Sequence, residues 1–439
     1  MSGPVPGTPS LLRAINDRAA LRVLLEHGPL TRPEIGALTG LSKPTASQLL
    51  LRLQEAGLVV LDGIRQGLPG RTAELYRINP AAAYAAALDV TTTRIEARVA
   101  DLSGAVVGEH TLPTGPRPRG TLIDRLRAAL AGAKAPAPPR RVVIGVQAAL
   151  DPVTGRLGYA TARDMPGWHI DDLEPALTEG LGVPVSVENN VNLVAMAEQA
   201  HGSARGTPDF VLLWADEGIG AAIVLGGRLH RGATGGAGEV GYMPTPGAPT
   251  ARETGQYADH GYQALTGGAA VLRVLRSHGV PGADLRQAVA HAAATAAGTA
   301  AGTAAGTVTG AGTVADAAAD AAAGTVAGTA VGAVVGGAAG VGAEVAGVAL
   351  REVAARLAVG LAAITSVVDP GLIVLTGGAV LAGGETLRAL IEQELHALTI
   401  ARPRVRLSAV RGNPVLAGAL DLALATVRDE IFDSTGSRR

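Results

Sequence analysis

The sequence predicts an α/β protein in which a small, mostly helical unit precedes a larger region of strands and helices. Three observations support this order. Helical apolar spacing, interrupted by capping and turn residues, occupies residues 20–55. Three strand-like runs follow between residues 84 and 110, and strand-like and helix-like runs then alternate. The length of 439 residues fits this division, because it exceeds that of one ordinary domain.

Composition limits what the protein can be. Hydrophobic residues make up 47% of the chain and aromatic residues 2%, so the cores must be built from Ala, Val and Leu. The absence of cysteine excludes disulfides, thiolate metal sites and thiol catalysis. The first ten residues lack the charged start and apolar run of a signal peptide, and the long apolar tract around 321–349 is rich in Ala and Gly. We therefore expect a soluble, cytoplasmic protein that does not associate with a membrane.

Charge is distributed unevenly along the chain. Residues 1–80 contain nine Lys or Arg and six Asp or Glu, which gives a net charge of +3, whereas the whole chain carries −1. The remainder therefore carries −4. A mildly basic N-terminal unit favours a phosphate-bearing partner, although this charge is weak evidence by itself.

The N-terminal unit begins with three predicted helices. The leucines of residues 21–25 form the apolar stripe of the first, which ends at Gly28-Pro29. The sequence TRPE at 31–34 is a capping box with proline in the first turn, and it starts a short second helix. After a tight turn, Ser42 caps the third helix.

The third helix has two faces. One is apolar, because Ala46, Leu49, Leu50 and Leu53 recur at helical spacing, and it is predicted to be buried. The other carries small or long hydrogen-bond donors, which suits entry into a major groove. Its candidate DNA-binding residues are Lys43, Thr45, Ser47, Gln48 and Arg52.

Two short strands, at 58–61 and 74–78, follow the third helix. The Gly-rich segment between them adds two candidate DNA-binding residues, Arg65 and Arg71, on a wing suited to phosphates. The capped helix, tight turn, polar third helix and basic wing predict that residues 1–80 form a winged helix-turn-helix that binds a double-stranded DNA operator. The alternative is a three-helix unit whose polar face is only solvated.

The larger region carries a series of motifs. A β-meander with turns at 91–93 and 103–104 comes first. The elements predicted after it include, in order, a helix at 120–132, a strand at 141–147, a helix at 171–180, and strands at 183–187, 210–214 and 219–225. The sequences PGWHIDDL, LGVPVSVENNVN, GEVGYMP and VVDPGLIVLTGG also occur in that order. Together with the winged helix and the meander, they resemble the ROK family of repressors and sugar kinases.

The resemblance implies the architecture of this region. It implies two actin-like, ribonuclease H-like lobes, at residues 81–200 and 201–439, with a sugar held in the cleft between them. Residues from about 285 to 340 depart from the family, because their repeated Ala-Gly-Thr sequence has few large apolar side chains. We interpret this low-complexity insertion as an expanded, partly disordered loop between helices of the second lobe.

The kinase machinery of the family is only partly present. Family kinases resemble D-x-G-G-T in their first phosphate-binding loop, whereas three β-branched threonines, 91–93, follow Asp89-Val90 here. The family's Glu-Asn-Asp segment corresponds to residues 188–190, which places Asn190 where kinases have the proton-accepting Asp. An amide is not a general base, so we expect no catalytic residue and no cofactor.

The same segment raises a binding hypothesis. Asn189 and Asn190 can hydrogen-bond the hydroxyl groups of an effector, or they can cap the helix that follows. The resemblance places Glu239 at a sugar contact, and it places Tyr242 where family members have a sugar-binding, zinc-ligating His. Asp164 departs from the family before PGW, and it is either an effector contact or an ordinary loop residue.

We expect no structural metal. The zinc-binding segment of the family resembles C-x-C-G-x-x-G-C-x-E, whereas the corresponding TARETGQYADHGYQ has no thiol. His260 in this segment is expected to be a lone surface residue.

These observations predict a DNA-binding repressor of carbohydrate-related genes, whose degenerate kinase-like domain senses a sugar or related effector. The alternative is an ATP-dependent sugar kinase with an extra DNA-binding domain, which would need another carboxylate to replace Asn190. A homodimer or higher homo-oligomer is implied by the resemblance and by the need to bind a two-fold operator.

Overall fold

The computed structural model describes residues 9–66, 72–115, 119–159, 165–255, 259–306 and 332–434. The chain forms two compact units. The first unit contains the residues up to Ala197 together with those from Gly412 onward, and the second unit extends from Glu198 to Arg411. None of the helices in the described ranges is both long and apolar enough to span a bilayer.

The N-terminal part of the first unit is a winged helix. Its elements are α1 (Pro9–His27), β1 (Leu30–Thr31), α2 (Arg32–Thr39), α3 (Lys43–Glu55), β2 (Val59–Gln66) and β3 (Thr72–Ile78). The strands form an antiparallel sheet in the order β1-β3-β2. The wing strands are longer than the sequence indicated, because the pairing of β2 with β3 continues past an irregularity between Leu61 and Gly63.

The first unit continues with a five-stranded sheet and its covering helices. These elements are β4 (Tyr84–Val90), β5 (Arg94–Asp101), β6 (Val106–Pro113), α4 (Leu122–Gly132), β7 (Arg141–Val146), β8 (Ala149–Leu150), β9 (Leu157–Gly158), α5 (Leu173–Leu181), β10 (Val185–Asn189) and α6 (Asn190–His201). The sheet order is β10-β7-β4-β5-β6, and β8 pairs separately with β9. The predicted meander is confirmed, since β4, β5 and β6 are antiparallel. Strands β7 and β10 add to β4 in parallel.

The second unit has a sheet of the same design. Its elements are β11 (Phe210–Ala215), β12 (Ile219–Leu225), β13 (Arg228–His230), α7 (Ala251–Thr254), α8 (Gly261–Thr266), α9 (Gly268–Ser277), α10 (Leu285–Gly306), α11 (Gly332–Val368), β14 (Leu372–Thr376), α12 (Gly378–Leu398) and β15 (Arg404–Leu407). The order β13-β12-β11-β14-β15 again places three antiparallel strands beside two parallel ones. This repeated strand order is what the ribonuclease H-like resemblance implies.

The last helix, α13 (Pro414–Ser434), belongs to the first unit. A Cβ on Gly418 would lie 1.8 Å from the Leu193 carbonyl oxygen of α6, and a Cβ on Gly145 of β7 would lie 2.6 Å from Val415 Cγ1. The two glycines let α13 approach α6 and the first sheet closely. The predicted second lobe, residues 201–439, included this helix, because chain order does not reveal the return of α13 to the first unit.

The low-complexity insertion also differs from expectation. The segment interpreted as a partly disordered loop from about 285 begins with α10, which extends to Gly306. Its residues in the core of the second unit include Leu285, Ala288, Val289, Ala292 and Ala293. Alanine favours helix and packs closely, so a helix with few large side chains still buries an apolar face. Residues 307–331 of the insertion lie outside the described residues.

Gly418→Ala is expected to destabilise the first unit, although alanine favours helix. The added methyl group would overlap the Leu193 carbonyl oxygen, and relieving such an overlap costs about 1–3 kcal/mol. Gly347→Ala is the matched control, since Gly347 also lies within a helix and, apart from the local backbone of that helix, no described atom lies within 4 Å of its Cβ position. There we expect a gain of about 0.5–1 kcal/mol. Denaturation followed by circular dichroism measures both, and equal effects would contradict the close packing of α13.

Candidate functional site

The candidate nucleic-acid interface is built on α3. At its start, Ser42 Oγ accepts a hydrogen bond from the Thr45 N–H at 3.4 Å, and a proline occupies the first turn, where no N–H is needed. The predicted apolar face is buried and consists of Ala46, Leu49, Leu50 and Leu53. Burial of this face determines which side of α3 remains exposed.

The predicted contact residues in the first half of α3 divide into two kinds. Lys43 and Gln48 are exposed, and neither side chain has a partner among the described residues. Thr45 Oγ1 lies 2.8 Å from Ser42 Oγ, and Ser47 Oγ donates to the Lys43 carbonyl at 3.0 Å. The two hydroxyl groups are bonded within the helix, so the two long side chains are the better placed to contact a base edge.

Arg52 holds the helices of the winged helix together. Its Nη2 donates to Asp17 Oδ1 of α1 at 2.7 Å, and the Asp17 side chain is only 3% exposed. Burial raises the pKa of the Asp17 carboxyl, and the Arg52 guanidinium opposes that rise. Arg52, which the sequence predicted as a DNA contact, therefore neutralises a buried carboxylate in this structure.

Arg65 on the wing is also paired. Its Nη1 lies 2.6 Å from Glu34 Oε1, and the two side chains are 49% and 40% exposed. Glu34 completes the predicted capping box, because its Oε2 lies 2.8 Å from both N and Oγ1 of Thr31. The Thr31 N–H and hydroxyl hold the pKa of Glu34 below its usual value. Arg71, the other predicted wing residue, lies outside the described residues.

Leu51 is a surface residue of α3 that sequence reasoning missed. Its side chain is 57% exposed on the side of the helix that carries Gln48. Helical spacing contained the signal, because position 51 falls outside the buried stripe of α3.

The winged helix is fastened to α13. Arg18 of α1 pairs with Asp429 and with Asp433, the latter at 2.5 Å, and these carboxylates lie one turn apart on α13. At the other end of α13, Asn413 Oδ1 accepts hydrogen bonds from two first-turn N–H groups at 3.0 and 3.1 Å. One helix therefore connects Asn413 with the winged helix.

Asn413 also joins two carboxylates on neighbouring strands. Its Nδ2 donates to Asp89 Oδ2 of β4 at 2.7 Å and to Glu96 Oε2 of β5 at 3.0 Å. Burial raises the pKa of the Asp89 carboxyl, and the nearby Glu96 carboxylate adds to the rise. In the loop after β4, Thr91 Oγ1 accepts from the N–H groups two and three positions on, at 3.4 and 3.1 Å. These amides are bonded within the turn instead of facing a phosphate.

The two candidate effector-binding asparagines differ in their contacts. Asn189 Oδ1 accepts from the Val191 N–H at 2.8 Å, and its Nδ2 donates to the Ala148 carbonyl at 3.3 Å. Both ends of this amide are engaged, and Asn189 caps α6. Asn190 Oδ1 accepts from the same N–H at 2.9 Å, but its Nδ2 makes no hydrogen bond within the described residues. Of the two, Asn190 keeps a donor for a ligand.

Glu239 has the most perturbed carboxyl group of the candidate site. It lies in the second unit, directly before the short 3₁₀ turn Val240–Tyr242. Its side chain is partly buried and makes no hydrogen bond or ion pair with the described residues, and burial raises its pKa to about 7. An unpaired, desolvated carboxylate costs stability, so it is typical of a functional site.

Tyr242 lies against His260. Their ring centroids are 5.5 Å apart, and the rings are tilted by 53°. His260 was expected at the surface, but it is 5% exposed, because Tyr242 and the loop that carries it pack beside it. Within the described ranges, no three His, Asp or Glu side chains are grouped in a way that could hold a metal ion.

In the second unit, the first turn of α10 lies beside the glycine turn Gly377-Gly378 that follows β14. Arg286 Nη2 lies 2.5 Å from Asp216 Oδ2, directly after β11. A Cβ on Gly378 would lie 2.0 Å from Arg286 Nε, so this side chain fills the space above the glycine turn after β14. A residue of the low-complexity insertion thus occupies the surface of that turn.

The predicted effector-binding residues fall in both units. Asn189 and Asn190 are adjacent in the first unit, and Glu239 and Tyr242 lie on one turn of the second. Asp164 lies outside the described residues.

The fold and these sites define a class of protein in which a winged helix precedes a kinase-type α/β region. A model of the MarR family matches residues 15–66, and a model of the ROK family matches residues 85–426. The chain belongs to the ROK family. The predicted membership is confirmed.

Relatives of the chain include a repressor and a kinase. The xylose repressor of Bacillus subtilis is 26% identical over 238 residues, which are 53% of this chain and 61% of that protein. The glucokinase of Streptomyces coelicolor is 28% identical over 156 residues, which are 36% of this chain and 48% of that protein. The chain therefore matches less than two thirds of the length of either relative.

A solved structure matches the full extent of the fold. It is the crystal structure of a ROK family transcriptional regulator, a homologue of the E. coli MLC protein, with a TM-score of 0.66. The superposition covers 97% of this chain and 99% of that chain at 16% sequence identity. The predicted fold class, a winged helix with a two-lobed actin-like domain, is confirmed.

Arg52→Ala is expected to destabilise the winged helix even when no DNA is bound. The substitution leaves the Asp17 carboxylate buried without a counter-charge, which should lower the free energy of unfolding by about 2–4 kcal/mol. The loss is smaller than for a fully buried ion pair, because Arg52 is partly exposed. Adding Asp17→Asn should recover most of this loss. Lys43→Ala is the control, an exposed change expected to stay within about 0.5 kcal/mol. Urea denaturation measures all four proteins, and similar losses for the two single basic-residue variants would contradict the structural role of Arg52.

Glu239→Gln is expected to stabilise the protein at high pH only. Burial raises the folded-state pKa of Glu239 to about 7, so the neutral carboxyl is favoured in the folded protein. Its contribution to the free energy of unfolding is fully present below the ordinary pKa of Glu and is lost as pH rises through 7. The free energy of unfolding of the variant should exceed that of the wild type at pH 8 by up to about 3 kcal/mol, and by little at pH 4.5. Denaturation at both pH values measures the difference, and a difference independent of pH would rule out a neutral Glu239.

Proposed function

We propose that the protein is a transcription regulator that represses carbohydrate-related genes and responds to a sugar or sugar derivative. The observation that carries this proposal is the exposed polar side of α3, presented by a MarR-type winged helix in the same chain as a ROK domain. The similarity to a xylose repressor supports it. The protein acts in the cytoplasm, where its DNA is found.

Double-stranded DNA is the proposed macromolecular partner. Lys43 and Gln48 are long donors on the exposed side of α3, and Thr45 and Ser47 flank them. The wing adds Arg65 and Arg71 as phosphate contacts. A homodimer would place two such helices on a two-fold operator, since half-sites are spaced by whole turns of the duplex.

The proposed effector carries several hydroxyl groups. Asn190 retains an amide donor, and Glu239 retains two carboxylate oxygens that no described residue occupies. Hydroxyl groups can donate to a carboxylate such as Glu239, and they can accept from an amide such as that of Asn190. Tyr242 flanks Glu239, and Asn189 and Asp164 are also proposed effector contacts.

Three features argue against phosphoryl transfer. Asn190 cannot accept the proton of a sugar hydroxyl. The amides of the loop after β4 are bonded to Thr91, and Arg286 lies over Gly378. Asn190 removes the general base and the bonded loop amides remove phosphate donors, whereas the Arg286 side chain, which is 65% exposed, only narrows the space above Gly378. We therefore infer that the kinase-like domain binds its ligand without chemistry.

Helix α13 is the proposed link between the kinase-like domain and the winged helix. Asn413 ties its start to strands β4 and β5, and Arg18 ties its end to α1. Helix α6 begins at the proposed effector residue Asn190 and lies against α13 at Gly418, so a shift of α6 on effector binding would move α13, and the winged helix would move with it. Effector binding would then alter the spacing of the two DNA-binding helices in a dimer.

Two variants separate the proposed roles. Gln48→Ala should weaken sequence-selective DNA binding by about 5- to 100-fold, the value of one bidentate base contact, while its effector affinity stays unchanged. Asn190→Ala should bind DNA as the wild type does but lose most of the effector response. Fluorescence anisotropy with DNA from the protein's own promoter, with and without a panel of pentoses and hexoses, measures both.

Two results would contradict the proposed function. One is wild-type protein that shows no preference for promoter DNA over unrelated DNA at moderate salt. The other is sugar-dependent ADP release from ATP above about 1 s⁻¹, an ordinary enzymatic turnover, which would favour the kinase alternative.

A further inference from the structure

One large apolar side chain stands on the exposed side of α3. With 3.6 residues per turn, Pro44, Gln48, Leu51 and Glu55 fall on the side opposite to the buried face. Leu51 is 57% exposed at the middle of this side. A single exposed leucine is common on proteins, but this one lies at the centre of the surface proposed to enter the major groove.

The winged-helix core is complete without Leu51. The buried face of α3 supplies four apolar residues, and Leu21, Leu24 and Ile35 of the neighbouring helices are each at most 2% exposed. Leu51 therefore contributes little to folding, and its exposed side chain is available to contact a binding partner.

The major groove offers such a partner. The C5 methyl group of thymine is an apolar group exposed there, and adenine presents the N7 acceptor and N6 donor that a glutamine amide binds in pairs. Gln48 has an acceptor and two donors, and no described residue occupies them. Its Cβ and that of Leu51 are about 5–6 Å apart, as for any pair three positions apart on a helix. Successive base pairs are about 3.4 Å apart, so both side chains can reach one or two adjacent pairs.

We propose that Gln48 and Leu51 together recognise an A·T base-pair step in each operator half-site. Gln48 binds the adenine edge, and Leu51 packs on the thymine methyl group. This inference rests on the proposed DNA binding. Glu55, at the far end of the same side, would repel phosphates, which places the contact in the first half and middle of α3.

The test begins with the full-length protein and random duplexes of about 30 base pairs, long enough for two half-sites. After selection of the bound sequence, each thymine is replaced in turn by uracil, which pairs identically and lacks only the C5 methyl group. At one thymine per half-site, we expect a loss of about 3- to 5-fold in affinity, the value of one buried methyl group.

Variants assign the effect to a side chain. Leu51→Ala should bind the thymine and uracil duplexes equally well, and Gln48→Ala should lose its preference for the adjacent adenine. Leu398→Ala is the matched control, because Leu398 is 55% exposed in the second unit. It should keep the wild-type difference between thymine and uracil.

Several outcomes would overturn the inference while leaving the proposed function intact. One is a selected sequence at which no uracil replacement changes affinity by more than about 2-fold. Another is Leu51→Ala protein that still binds the thymine duplex more tightly than the uracil duplex. A third is Leu51→Ala protein whose only change is its oligomeric state in light scattering, because Leu51 would then contact another protein chain. If the wild type enriches no sequence, DNA binding itself fails and the inference fails with it.

Discussion

Asn413 is the residue on which the arrangement of the first unit depends. One end of its amide bridges two carboxylates on adjacent strands, and the other end caps α13. The start of α13 is thereby fixed on the sheet, and the close approach at Gly418 fixes the course of the helix along α6. The position of Arg18, and hence of α1, follows from these contacts at the opposite end of the same helix. The last helix of the sequence thus joins the winged helix to the five-stranded sheet of the first unit.

The loop after β4 and the glycine turn after β14 are both held by internal contacts. Asp89 is buried against Asn413, and Thr91 satisfies the amides of its own loop. In the second unit, Arg286 bonds Asp216 and lies over Gly378. Glu239 is the contrasting case, because its carboxylate is desolvated without a partner among the described residues. The two turns are therefore bonded internally, whereas the Glu239 carboxylate has no hydrogen-bond partner within the described ranges.

Local sequence patterns predicted the elements, but not the partners that tertiary structure brings to them. The buried stripe of α3 and the capping box at Thr31 follow from spacing within one helix, and both are confirmed. Arg52 and Arg65 looked like free cations, since their carboxylate partners lie 35 and 31 positions away in the sequence. The helix α10 was missed because small residues carry little hydrophobic signal, although they are buried. The sequence of Asn189 was compatible with both capping and ligand binding, and in the structure its amide contacts the Val191 N–H and the Ala148 carbonyl.

The double use of Glu34 has a consequence for counterions. The same carboxylate closes the start of α2 and holds Arg65 of the wing. A DNA phosphate that binds Arg65 must displace the Glu34 carboxylate from it. The guanidinium then exchanges one anion for another, so it neutralises less of the DNA backbone than a solvated arginine would. The logarithm of affinity should consequently fall less steeply with ionic strength than the number of wing arginines suggests.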